Sequence, residues 1–560
     1  MKKDMRKTWK LALASVALVS GVAFTACSSD DEELLSGGSD TTAATGETGE
    51  VKTTISFAIP HAKTQRSTAD YVQEGSIFKG MQNIYLMQFQ VNRAGDTVAS
   101  TSSFMGLMKN LDDIEATNGL SGSVKTYSNI KLLPGNTAFL LYGETKDKGN
   151  DGRLTPNYIS SSLNGISMAS DISFDLTTID VPDATTFSKA LLNLRGCLRT
   201  HWGSGEGAMQ TIFSELKEGK SSVAKEQLTY LLSQLRSVVS TESEQYGLTD
   251  SIGAVEKAMN EFYGDGYKLP AAIYEFDWSK EEPNQMITMN KDIIESGSQI
   301  SYPPSLYYRT NSWPVTYSSS SFGDDPITIT SSMTTGVGLK KSVNYAVGRL
   351  DVKVKASSSS LTDNNKKSVS LTLPSGEPAF TLTGVIVGGQ PASVDFTFTN
   401  NTSDWNYMIY DNDIIPGKEG ITSTNIEVNT YILGLPSQKY ESSQPNSGEV
   451  QIALEVRNDG EAFAGKDGII PTDATFYLVG KLNPSSSSSS SVSDPKQVFA
   501  SDFYTTANLT ITGLQNAMAT LPDLTTSVTE FALSVDLEWK QGISIDANIG
   551  GMTSLNTMSF

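Results

Sequence analysis

Over most of its length the chain alternates apolar with polar residues in short stretches, and this period of two restricts it to folds built from strands with one buried face. Ile55/Phe57/Ile59, Ile84/Leu86, Phe139/Leu141, Ile172/Phe174/Leu176, Leu350/Val352/Val354, Val369/Leu371/Leu373, Phe396/Phe398 and Ile452/Leu454/Val456 all carry the pattern, with turn residues between them. Successive side chains of a strand point to opposite faces, so each stretch offers one face to a core and one to solvent. Many such strands in series predict sandwiches rather than a wound α/β sheet.

One region departs from that period. Between Asp183 and Phe262 the apolar residues fall at helical spacing, as in Phe187/Leu191/Leu194/Leu198 and Leu228/Leu231/Leu232/Leu235, which predicts two to four helices inserted into the first sandwich and packed over it. Cys197, beside Leu198, reads as core packing, and His201 beside Trp202 as a polar-tipped residue near a helix end. Strand-like sequence returns at Ile273–Phe276. The small, polar stretch Ser331–Gly336 before the strand Val347–Val354 predicts a boundary that divides the chain into domains at 51–345, with the insertion at about 183–262, and at 346–560. Ser485–Ser491, seven consecutive serines, predict an exposed loop in the second domain.

The first fifty residues give an address. Lys2, Lys3, Arg6, Lys7 and Lys10 precede an apolar run at Leu11–Val22, too short to span a bilayer, and Phe24-Thr25-Ala26 leads to a lone Cys27. This is the pattern of a lipoprotein signal, 1–26, with acylation at Cys27 after cleavage. An acidic and flexible tether occupies 27–50, beginning Ser28-Ser29-Asp30-Asp31-Glu32-Glu33.

Charge and composition narrow the function classes. Five basic residues and one acidic residue of the 42 and 62 lie in 1–26, so the remainder holds 37 Lys and Arg against 61 Asp and Glu, a net of −24. Such a surface repels phosphate and predicts no nucleic-acid partner. With only His61, His201, Cys27 and Cys197, the chain has no His/Cys cluster for a metal and little material for a Ser-His or Cys-His nucleophile. We therefore expect no catalytic residues, no cofactor and no metal.

Several segments carry a family resemblance: the lipoprotein start, Thr53-Thr54-Ile55-Ser56-Phe57-Ala58-Ile59-Pro60 followed by Gln65-Arg66-Ser67, the mid-chain Arg349-Leu350-Asp351-Val352-Lys353-Val354, and the late strand Phe531–Trp539. By their order and position the chain resembles the fimbrillins, the lipoprotein pilins of Bacteroides-type (type V) fimbriae. The helical block departs from the simplest members of that family. The resemblance implies two transthyretin-like β-sandwich domains in tandem and a place on the outer membrane surface through the lipid anchor, then in the fimbrium after processing. It also implies lipoprotein-processing enzymes, a trypsin-like protease and other fimbrial subunits, whether copies of this chain or related pilins, as partners. In such pilins the first strand is cut away after a basic residue and a neighbour's strand fills the vacated groove.

The parts for that exchange can be assigned. Val51–Pro60 is a short strand with Ile55, Phe57 and Ile59 on one face, and the polar stretch after it holds Lys63 and Arg66; the resemblance favours cleavage between Arg66 and Ser67, with Lys63 as the fallback. After a final core strand at Phe531/Leu533/Val535/Leu537/Trp539, the tail 543–560 opens with Ile543, Ile545, Ala547 and Ile549 alternating against polar residues, the pattern of a donor strand. Stalk, anchor and tip roles all remain open. A rival expectation is a glycan-binding surface lipoprotein that uses exposed Trp202, Tyr307, Tyr308, Trp313 or Trp405 as a stacking platform.

Overall fold

The structure is a computed structural model that describes residues 50–59, 80–92, 98–115, 124–146, 160–161, 165–177, 183–202, 225–238, 247–263, 274–276, 282, 286–289, 299–304, 307–318, 321–322, 325–397, 406–411, 420–432, 450–466, 468–482, 499, 503–525 and 533–541. It is mainly β, and its four largest sheets form two sandwiches in tandem. The chain enters the first sandwich through β1 (Val51–Ala58), β2 (Met81–Gln90), β3 (Ser103–Leu111), β4 (Val124–Leu132) and β5 (Thr137–Thr145). One sheet runs in the order Asn344–Tyr345, Tyr307–Ser312, β5, β2, β3. The other runs Ser321–Phe322, Pro314–Ser318, Gly336–Leu339, β1, β4.

The second sandwich pairs a sheet ordered Ile426–Ile432, Gly348–Ala356, Phe503–Ile511, Leu533–Gln541 with one ordered Gln299–Ser301, Tyr407–Asp411, Phe380–Gln390, Gln451–Asn458, Thr475–Lys481. Apart from Gln299–Ser301, the strands of the large sheets sort between the two sandwiches at 345/348. That short strand, from the earlier half, pairs in parallel with Tyr407–Asp411, and Ser173–Asp175 pairs with Ser393–Asp395. Phe89 meets Phe396 at 6.2 Å between ring centroids, so one continuous apolar core runs through both sandwiches.

Three helices, α1 (Thr185–Trp202), α2 (Lys225–Val238) and α3 (Leu248–Tyr263), occupy the predicted block among the described residues. Asp183 accepts the backbone N–H of Thr185 at 2.9 Å at the start of α1, an anion placed where the helix dipole and its unpaired donors favour one. The expected apolar stripe is buried: Phe187, Leu191, Leu194 and Leu198 on α1, Leu228, Leu232 and Leu235 on α2, joined by Ile252, Val255 and Met259 on α3. Its place differs from expectation. The stripe covers the second sandwich, packing with Ile386, Met408, Ala453 and Val479, and not the first. The reason is that Phe380–Gln390, Gln451–Asn458 and Thr475–Lys481 carry apolar or satisfied polar residues on both faces, and the outer one needs a second layer.

Candidate assembly site

β1 is the first strand among the described residues, yet it sits inside a sheet. It pairs in antiparallel fashion with β4 from Val51↔Leu132 to Ala58↔Val124, and in parallel with Gly336–Leu339 through Ile55↔Val337 and Ser56↔Gly338. Val51, Ile55, Phe57 and Ile59 are all buried, as the alternation predicts, and the Phe57 ring lies 5.9 Å from that of Tyr127. Four such side chains account for on the order of 10 kcal/mol of burial. Taking β1 away would expose this apolar surface and two rows of backbone partners, so the slot is stable only when a strand fills it.

The outward face of β1 is as restrictive as the inward one. Ser56 points away from the core but is 0 % exposed; its hydroxyl lies 2.9 Å from that of Thr126, and Gly338 stands opposite on the other side. Thr53, which lies on the inward side with Ile55 and Phe57, donates its hydroxyl to the Thr335 carbonyl at 3.1 Å. A Cβ on Gly336 would come within 3.1 Å of the Tyr317 ring and 3.4 Å of the Thr54 carbonyl, so a glycine here spares the flanking strand a tight contact with both. On the other flank β4 carries a bulge between Ile130 and Tyr127, where Asn129 takes φ +62°, while β1 itself stays regular. The irregularity therefore belongs to β4 and not to β1. Sequence alternation locates the apolar face of β1; it does not reveal Ser56, Thr126 and Gly336, for which the only signal is a small hydroxyl residue inside an apolar strand.

Other predicted residues fall into three groups. Cys27, Lys63, Arg66, Ser67, Ile543, Ile545, Ala547, Ile549 and Trp405 lie outside the described residues. The final core strand is present as Leu533–Gln541 and pairs with Phe503–Ile511 across nine residues, at the edge of its sheet. The aromatic platform is corrected: Tyr307, Tyr308 and Trp313 are core residues, at most 1 % exposed. Tyr307 stacks on Tyr142 at 5.5 Å and Tyr308 packs on Tyr345 at 5.1 Å, because Tyr307–Ser312 is flanked by strands on both sides and covered on both faces. Trp202 and His201 end α1. Cys197 is half-buried and burial pushes its thiol upward, opposite to the shift a reactive thiolate needs.

A buried carboxylate also escapes the sequence pattern. In Gln451–Asn458 the alternation Ile452/Leu454/Val456 marks one buried face, but the other face is closed as well, and Glu455 is 6 % exposed there. Its carboxylate accepts hydroxyls from Thr383 at 2.9 Å, Tyr477 at 3.0 Å and Tyr410 at 3.1 Å. Those donors satisfy a group that could not otherwise be buried, and the Glu455 charge adds to burial in holding the Tyr410 phenol well above its usual range. Gly384 leaves room for the pair, since a Cβ there would sit 3.0 Å from the Tyr410 ring. Among the described residues no group of three His, Cys, Asp or Glu side chains is placed to hold a metal ion, and no helix is long and apolar enough to cross a membrane.

No protein-family model matches the chain, and no curated protein matches it in sequence. Solved structures with a similar arrangement include a putative cell adhesion protein from Bacteroides eggerthii, at 8 % identity and TM-score 0.32, covering 88 % of this chain and 96 % of that one. A fimbrilin from Porphyromonas gingivalis matches at 11 % identity and TM-score 0.33, covering 88 % and 98 %. The tip fimbrial protein Mfa3 of the same organism matches at 9 % identity and TM-score 0.28, covering 87 % and 99 %.

Proposed function

We propose that this chain is a structural subunit of a cell-surface fimbria, without catalytic activity, that assembles by losing β1 and accepting a strand from a neighbouring subunit. The observation that carries the reading is the topology of β1: a chain-leading strand, paired on both sides, whose connection to the rest of the fold runs through the basic, polar stretch holding Lys63 and Arg66. An uncut chain keeps β1 at the high effective concentration of an intramolecular partner; after a cut at Arg66–Ser67 the strand is held by non-covalent contacts alone and can be displaced. The tail beyond Gln541, where alternation picks out Ile543–Ile549, supplies the replacement for the next subunit. Acylation at Cys27 holds the uncut form at the outer membrane.

The test is the double substitution Lys63→Ala, Arg66→Ala in producing cells. It should yield membrane-held monomers that retain residues 28–66, while the parent gives polymers with Ser67 at the N-terminus. If the variant polymerises as readily as the parent, with no Ser67 terminus in either, strand replacement is the wrong mechanism.

A further inference from the structure

The helical block is fastened at both of its ends to the sandwich that follows it in the sequence. Just before it, Ser173–Asp175 pairs in antiparallel fashion with Ser393–Asp395, Val394 standing opposite Phe174, and the Leu176 N–H donates to the Ala392 carbonyl at 2.8 Å. Just after it, Gln299–Ser301 lies parallel to Tyr407–Asp411, Ile300 standing opposite Met408, and the Gln299 N–H donates to the Asn406 carbonyl at 2.8 Å. From these two attachments and the layer between them we infer that residues 173–301 act as a strap closed at both ends on the second sandwich. The described residues then divide into two interleaved cooperative units, 51–145 with 307–345 and 173–301 with 348–541, rather than into an earlier and a later half.

Neither the strap nor the sheet beneath it is complete alone. Helices of 14 to 18 residues are marginal in water without a packed face. The apolar stripes of α1, α2 and α3 find theirs on Ile386, Met408, Ala453 and Val479 and, among the described residues, on none of β1–β5. Within the strap, Phe187 of α1 packs on Phe262 of α3 at 5.5 Å, Arg236 of α2 donates to both carboxylate oxygens of Glu256 on α3 at 2.7 and 3.1 Å, and the buried Ile287 N–H donates to the Ser188 hydroxyl of α1 at 3.2 Å. The later half of the chain adds Leu521 and Leu524 to the same layer, and a Cβ on Gly388 would collide with the Leu524 backbone. Gln299–Ser301 in turn supplies an edge strand of the covered sheet.

Towards the first sandwich the attachment is of another kind. Phe174 packs on Tyr142 of β5 at 4.6 Å, and Phe89 of β2 meets Phe396, so side chains alone make the core continuous there. Among the described residues, strand pairing from 173–301 to the rest of the chain goes to Ser160–Ser161 and to the two strands of the later half. A lid held at one end can swing away from its sheet. A strap with backbone hydrogen bonds at both ends leaves only when the sheet under it comes apart, so the first sandwich can lose order while the layered unit keeps its own.

Amide hydrogen exchange on the uncut full chain, read segment by segment by mass spectrometry, tests this division. Leu191→Ala empties a fully buried site on α1. It should speed exchange on the order of a hundred-fold in the helices and equally in Phe380–Gln390, Gln451–Asn458 and Thr475–Lys481, while β2 and β5 stay within about three-fold of the parent. Phe57→Ala should do the reverse, speeding β2 and β5 and leaving the helices and those three strands within about three-fold. If the Leu191→Ala chain does not fold, Val255→Ala, a smaller loss at a buried site on α3, carries the same test at about ten-fold. Acceleration confined to the helices would make the layer a peripheral addition, and equal acceleration in β2 and β5 would make the molecule a single unit. Acceleration in the first sandwich alone would assign the helices to the earlier half, and none anywhere would mean that the layer supports nothing. Each of these results overturns the inference, as does a Phe57→Ala effect that reaches the helices.

Discussion

In the first sandwich a strand at the middle of a sheet is the leading element among the described residues, joined to β2 through residues 60–79 alone. In the second, the middle strands Gly348–Ala356, Phe380–Gln390, Tyr407–Asp411, Gln451–Asn458 and Phe503–Ile511 each have further elements before and after them in the chain. Strands of both sets bury an apolar face, so that feature does not separate them. Connectivity does: one cut frees β1, whereas freeing an interior strand of the second sandwich takes two. The second sandwich is also closed by a helical layer, and its Glu455 carboxylate is held by three hydroxyls from three strands. On the strand-replacement reading, one half exchanges a strand and the other stays intact while it does so.

The comparison breaks first at Phe57. Phe57→Ala should destabilise the uncut monomer by about 3–5 kcal/mol, the usual cost of emptying a buried aromatic site, measured by denaturant unfolding. On the strand-replacement reading, polymers assembled after cleavage lack that residue and should resist dissociation as the parent does. Equal weakening of monomer and polymer would mean that β1 stays in the assembled subunit.

Glu455→Leu should act in the opposite way. Removing the acceptor strands the Tyr410, Tyr477 and Thr383 hydroxyls in a dry layer, for a loss of about 2–4 kcal/mol, and on the strand-replacement reading, which leaves the second sandwich as it is, monomer and polymer should lose it alike. Tyr410→Phe, which removes one donor and leaves the carboxylate with two, should cost only about 1 kcal/mol. A Glu455→Leu chain as stable as the parent would show that the hydroxyl cluster contributes nothing to holding the helical layer in place.

The apolar faces explain why so much of the fold is legible in the sequence. Ile55/Phe57/Ile59 and Leu350/Val352/Val354 follow a period fixed by backbone geometry, and Phe187/Leu191/Leu194/Leu198 follow the helical one, so element types and their buried faces can be read directly. The partner of each stripe depends on contacts between residues far apart in sequence, and so the helices are expected on one sandwich and found on the other. Tyr307-Tyr308 and Glu455 mislead for a related reason. A one-faced strand and a strand covered on both faces differ only in whether a second layer is present, and a tyrosine or a satisfied glutamate suits either. Within the assembly site, Phe57 can be read from its alternation, whereas the requirement at Ser56 comes from Thr126 and Gly338, 70 and 282 residues away.

The smallest effect probes that outer wall. Ser56→Ala removes the hydroxyl beside Thr126 and should cost the uncut monomer about 0.5–1.5 kcal/mol, with no change in the polymer, read by the same unfolding experiment. A polymer weakened by this change would show that Ser56 remains in place after assembly.

The central claim is that β1 is a replaceable part of a fold that otherwise holds together. It is tested most directly by placing one site for a sequence-specific protease between residues 60 and 79, cutting purified chain, and tracking the released N-terminal fragment by native mass spectrometry as polymer forms. The account predicts that the fragment stays bound to the cut monomer and leaves in one-to-one proportion with each new subunit contact. Polymers that retain the fragment, or a cut chain that sheds it and unfolds at once without assembling, would contradict it.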